Sequence, residues 1–165
     1  MQNKGFSLIE VLLSVFIITV AVLGLYNGVS YSFNSIEKAK NKLIATYLAE
    51  EGIELVKNIR DINFSSEEED AKWNDGFSAC ENGCRIDMNG TIKDDPNLPL
   101  NIDTNGFYSY ETGEPTIFSR EITIEECKDN EDKVNKVKVS SRVSYGKQEF
   151  LMLQYLYNYK EEENE

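Results

Sequence analysis

From Phe6 to Tyr26 the chain carries one charged side chain, Glu10, in 21 residues. As a helix the stretch would run about 31 Å at about 1.5 Å per residue. That matches a hydrocarbon core of about 30 Å, so the segment reads as a membrane-crossing helix. A carboxylate inside such a segment costs on the order of 2.5–3.5 kcal/mol on insertion scales. No Lys or Arg lies within helical reach inside the stretch, so Glu10 needs a partner from elsewhere. An ordinary secretory signal is a poor fit. Its apolar core spans about 7–15 residues before a small-x-small cleavage site, whereas Ala21-Val22-Leu23-Gly24-Leu25-Tyr26 follows a longer core and makes a poor site.

Met1-Gln2-Asn3-Lys4-Gly5 followed by Phe6-Ser7-Leu8-Ile9-Glu10 resembles the leader and mature start of a type IV prepilin, the class that includes pilins and secretion pseudopilins. The resemblance implies cleavage between Gly5 and Phe6 by a membrane peptidase and methylation of the new amine on Phe6. It also supplies the missing partner: Glu10 would pair with the Phe6 amine of a neighbouring subunit. An ion pair in low dielectric can offset the burial that each charge alone makes costly. Lys4 lies on one side of the segment and Lys38, Lys40 and Lys42 on the other, so charge counting leaves the orientation open. The resemblance implies a cytoplasmic leader and an extracytoplasmic head. Many major pilins carry a proline near the position that is Asn27 here. Its absence, with Gly24 and Gly28 at the end of the apolar run, is more similar to minor pilins of the V class.

Beyond Tyr26 the helical period continues without proline. Val29, Phe33, Ile36, Leu43, Tyr47, Leu48, Leu55, Val56 and Ile59 recur at three- and four-residue steps. The spacing predicts one helix to about Ile59, its second half buried under a head, and it drifts too far for a coiled coil. Asp61 to Gly83 carries seven acidic residues against Lys72 alone and reads as an exposed loop, pinned by Trp73 and Phe77.

Strands follow. Asn89-Gly90 after Arg85–Met88 is a favoured hairpin turn, and Phe107–Tyr110 reads as a short strand. Phe118, Ile122 and Ile124 mark one face of the next strand, with Arg120 as the exception. Val137, Val139, Val143 and Tyr145 alternate with polar residues in the period of a half-buried strand. Gly146-Lys147 closes a hairpin onto Phe150–Tyr157, whose near-continuous apolar character predicts a central or doubly covered strand. The expected fold is α+β and pilin-like: a long N-terminal helix, its first half transmembrane, packed on a C-terminal antiparallel β-sheet. The expected division is a leader at 1–5, a transmembrane assembly helix at 6–26, an amphipathic continuation at 27–60, and an extracytoplasmic β-rich head with an acidic loop at 61–165.

Twenty-nine acidic residues stand against 17 basic ones, a net charge of −12, and there is no histidine. That balance argues against a nucleic-acid partner, which calls for a basic surface. The missing histidine removes Ser-His and Cys-His catalytic pairs and His-based metal sites. No spacing isolates a nucleophile with its base, so the chain reads as a substrate of processing enzymes and not as an enzyme. Cys80 and Cys84 flank a turn at Asn82-Gly83 and are placed for a local disulfide, with Cys127 an alternative partner for either. Asn101-Ile102-Asp103-Thr104-Asn105-Gly106 has the alternating oxygens and glycine that open a calcium loop. Position twelve would be Thr112, with Glu111 one step away. Runs of this kind also form plain Asx turns. No other cofactor is expected, and Asn101, Asp103 and Asn105 are the calcium candidates.

The resemblance implies a minor pilin, processed and then incorporated into a pilus or priming one, at first in the cytoplasmic membrane as a single-pass protein. Its partners would be other pilin subunits, the prepilin peptidase, the inner-membrane assembly platform and the membrane itself. It would end in a cell-surface or periplasmic filament. A secretion or competence pseudopilin is the alternative within the same class. Outside it stands a bitopic protein that never polymerises and whose acidic head binds calcium or a ligand.

Overall fold

The proline-free run after Phe6 folds as one helix, α1 (Leu8–Ser65), in the computed structural model, which describes residues 7–67, 71–129 and 133–159. The chain divides into two units, Met1–Asn41 and Lys42–Glu165. In the first, the apolar side chains of α1 from Leu8 to Ile36 are exposed. By length and composition this helix can cross a membrane. Several of its hydroxyls are satisfied along the helix itself. Ser14 donates to the Glu10 carbonyl at 2.7 Å, Thr19 to that of Val15 at 2.7 Å, and Ser32 to that of Gly28 at 3.0 Å. Back-bonding of this kind gives a hydroxyl a partner in an apolar setting.

In the second unit α1 buries Ala45, Leu48, Ala49, Gly52, Ile53, Val56 and Phe64. This stripe faces an antiparallel sheet built from β3 (Pro99–Ile102), β4 (Tyr108–Ser109), β5 (Glu114–Lys128), β6 (Val134–Tyr145) and β7 (Gln148–Tyr157). The order is β4-β3-β5-β6-β7. A separate hairpin, β1 (Arg85–Ile86) and β2 (Ile92–Lys93), turns at Gly90, whose φ of 78° suits glycine. Its neighbour Cys84 continues the ladder onto β5, exchanging N–H···O bonds of 2.9 and 2.8 Å with Ile122.

The structure departs from the sequence reading in three places. Helix α1 runs to Ser65, six residues past Ile59, because Phe64 is buried against Trp73 and Tyr159. The segment after it is pinned to the head as expected: Trp73 and Phe77 are core residues, and the Trp73 indole donates to the Val134 carbonyl at 3.2 Å. Strand β3 was not legible, since Pro99-Leu100-Asn101-Ile102 has no alternating pattern long enough to mark it. Strand β7 is neither central nor doubly covered. It is the sheet edge, with Leu156 buried and Leu151, Leu153, Tyr155 and Tyr157 exposed on the far face.

The core has two apolar clusters. One joins Ile53, Val56, Phe64, Trp73 and Phe77 to Ile122, Ile124, Val137 and Val139. The other joins Ala45, Leu48 and Ala49 to Phe118, Val143 and Tyr145. Between them on each element sit Gly52, Arg120 and Ser141. Arg120 is 2% exposed, and its Nη1 donates to the Leu48 carbonyl and to Glu51 Oε2, both at 3.1 Å. Its Nη2 reaches the Ile86 carbonyl at 3.4 Å. Tyr110 donates its hydroxyl to the Arg120 carbonyl at 3.2 Å, and its ring lies under Arg85 and Arg120 at 5.0 and 5.9 Å. Burial pushes the Tyr110 phenol up, against a smaller opposing pull from Arg120. Arg85 Nε stands 2.8 Å from Asp95 Oδ1 yet makes no aligned hydrogen bond.

Candidate functional site

The candidate site is the start of α1. Gly5 and Phe6, the expected cleavage and methylation positions, lie outside the described residues. Ser7 is described, and its carbonyl accepts from the N–H groups of Glu10 at 3.0 Å and Val11 at 3.3 Å. Ser7 therefore stands where the helix is capped, and Glu10 is in its first turn. Ser7-Leu8-Ile9-Glu10 has the S-x-x-E order of a capping box, a second local reason for an acid at this position that the apolar run conceals. A carboxylate there also favours the positive end of the helix dipole. Glu10 is exposed and has no ion-pair partner among the described residues. A cation brought by another molecule has open access to it.

Further along the same unit, a Cβ on Gly24 or Gly28 would meet nothing within 4 Å. The two glycines and Ser32 are spaced four apart, beside a shallow groove of about 370 Å³ walled by Leu25, Val29, Phe33 and Ile36. Small residues at this spacing let a second helix approach closely in lipid.

The head holds the other sequence candidates. Cys80 and Cys84 are joined, with Cα atoms 4.8 Å apart, and Cys127 is a free thiol on β5. The bridge closes the end of a short 3-10 turn (Phe77–Cys80), and both half-cystines are fully buried. The calcium candidates fall on a strand and the turn that follows it. Asn101 is in β3, paired with Ser109 of β4. Asp103 and Asn105 lie in the turn that follows. Asp103 Oδ1 accepts from the N–H groups of Asn105 and Phe107, each at 2.8 Å, and Oδ2 accepts from the Asn105 amide at 3.4 Å. The Phe107 N–H bond is the main cause holding the Asp103 carboxyl below its ordinary value; desolvation opposes it, and the bonds from Asn105 and Gly106 add to the lowering. These bonds occupy the oxygens in the manner of an Asx turn. Among the described residues no cluster of three acidic or cysteine side chains is placed to hold a metal.

Residues 1–26 match the family model described as the prokaryotic N-terminal methylation motif, the signature of type IV prepilins and pseudopilins. The match covers the leader, Glu10 and the apolar run, and none of the head. Comparison with curated proteins and with solved structures gave no match.

Proposed function

We propose that this chain, which begins with the prokaryotic N-terminal methylation motif and continues as a long apolar helix and a sheet-built head, is a minor type IV pilin. The motif supports a pilin-like protein processed by prepilin peptidase and anchored in the membrane. In the proposed sequence of events the peptidase cuts after Gly5 and methylates the Phe6 amine. The helix from Phe6 to Tyr26 holds the subunit in the cytoplasmic membrane with the head outside. Glu10 then pairs with the Phe6 amine of a neighbour as the subunit enters or primes a filament through the assembly platform. The observation that carries this reading is the exposed Glu10, without an ion-pair partner among the described residues, in the first turn of a helix otherwise suited to lipid. The absence of proline at Asn27 and the small-residue spacing of Gly24 and Gly28 favour a low-abundance pilus subunit over a major one. A pseudopilin of a secretion or uptake system would use the same steps. Finding the chain in sheared, purified filaments supports the pilus.

Mass spectrometry of the mature protein is the direct test. The expected N-terminus is methylated Phe6; a chain still starting at Met1 in cells with an active peptidase refutes the reading. Glu10→Leu is expected to leave membrane insertion intact and to abolish or misregister incorporation into filaments. An unchanged phenotype would favour the bitopic alternative with a ligand-binding head. Calcium binding by that head is tested by thermal unfolding. No rise in Tm at millimolar calcium sinks it, and the engaged Asp103 oxygens favour that outcome.

A further inference from the structure

The head carries an apolar cavity with one acidic wall. Its volume is about 240 Å³, and it lies between one face of α1 (Ile44, Tyr47, Leu48, Glu51) and the turns carrying Met88 and Phe107, with Tyr108 beside them. Leu48 is buried and forms the floor, whereas Tyr47 and Phe107 stand at the mouth, 62% and 63% exposed. Two open aromatic rings side by side at the mouth of one cavity form a contiguous apolar patch of the kind that marks a binding site. The Asx turn fixes the position of Phe107, since Asp103 Oδ1 accepts its N–H. Burial raises the Tyr108 phenol, in keeping with a wall turned from water.

Glu51 is the only charged residue lining the cavity among the described residues. Its Oε2 accepts from Arg120 at 3.1 Å, and its Oε1 makes no hydrogen bond among the described residues. Three aromatic side chains with one carboxylate acceptor and no cationic lining residue complement a positive ligand with an apolar body. Ring faces attract such a cation electrostatically, most strongly when water is excluded. The chain's net charge of −12 raises the local concentration of cations further.

We propose that this cavity binds a small soluble organic ammonium ion, its methyl or methylene groups against Tyr47, Phe107 and Tyr108 and its charge towards Glu51. The full chain in maltoside micelles, titrated with choline or phenethylammonium and followed by aromatic carbon–proton NMR, tests this. Saturable shifts of the Tyr47, Phe107 and Tyr108 signals are expected, with a Kd at or below about 1 mM. The neutral choline isostere 3,3-dimethylbutan-1-ol and the anion phenylacetate are expected to bind at least about tenfold more weakly. Tyr47→Ala and Phe107→Ala each weaken choline by about threefold to fivefold, and both positions are too exposed to endanger the fold. Glu51→Gln keeps an oxygen for Arg120 and removes the charge, and it is expected to abolish the preference for the cation over its isostere. Equal binding of the neutral isostere would overturn the proposal in favour of a merely apolar groove. So would the absence of saturation. Shifts that follow protein concentration without added ligand would overturn it in favour of a side chain from a second subunit.

Discussion

Arg120 shows how one residue can join helix to sheet. It interrupts an apolar face of β5, yet it is buried because α1 and β1 offer it the Leu48 and Ile86 carbonyls and the Glu51 carboxylate. Removing a buried charge's partner costs about 3–5 kcal/mol in general. Glu51 is partly exposed at 32%, so Arg120→Ala is expected to cost less, about 2–4 kcal/mol. Urea unfolding of the full chain, followed by near-ultraviolet circular dichroism, measures it. Gly52→Ala makes a sharper test of the same place. Alanine improves helix propensity by about 1 kcal/mol, but its Cβ would overlap Ser141 Oγ and lie 3.0 Å from Arg120 Cδ. A net loss of about 1–3 kcal/mol is expected; a gain in Tm would show that the helix and sheet can move apart freely.

Asp103 belongs to the same scale. Its carboxyl is held below the ordinary value of 3.8 mainly by the Phe107 N–H, so the charged form is the one the folded turn favours. The stabilisation is therefore fully present above the unfolded value and is lost as pH falls through the lower folded value. The Asn105 and Phe107 amide signals are expected to shift below about pH 4, and Asp103→Ala removes that transition. The loop whose sequence resembles half a calcium site forms a turn that orients Phe107.

Among the elements, β7 is the one whose sequence misleads. Phe150 to Tyr157 is apolar nearly throughout, which ordinarily marks a covered strand. Here it lies at the edge because β6 has one further neighbour to take, and only Leu156 is fully buried. Leu153 is 53% exposed, so Leu153→Lys is expected to change stability by no more than about 0.5 kcal/mol, read from the urea midpoint. The outer face beside it is stitched by cross-strand ion pairs, Lys138 with Glu125 at 3.2 Å and Arg142 with Glu121 at 3.1 Å. Exposed pairs of this kind contribute little singly. The 80–84 bridge contributes more. A closed loop of about five residues is worth about 2 kcal/mol in the chain-entropy account. Cys80→Ala with Cys84→Ala should lose roughly that amount, while Cys127→Ala, which removes a free thiol, should leave Tm unchanged.

For the molecule as a whole, the sequence alone determined the long apolar N-terminal helix and the helix-then-sheet order of the chain. A 21-residue run with one carboxylate can satisfy its backbone in lipid only as a helix. The periods of 3.6 and 2 are local properties that survive any packing, so α1, β5 and β6 were legible as elements although their ends were not. The tertiary structure decided what local pattern does not encode. It placed β3 beside β5 by ladder bonds, put β7 at an edge, and extended α1 to Ser65 through the contacts of Phe64. It chose Cys84 over Cys127 as the partner of Cys80 and made buried Arg120 a polar contact between α1 and the sheet. It also brought Tyr47, Glu51, Phe107 and Tyr108 to one cavity from segments more than fifty residues apart. Those outcomes depend on which distant groups meet, and a chain read in order contains the groups without their meeting.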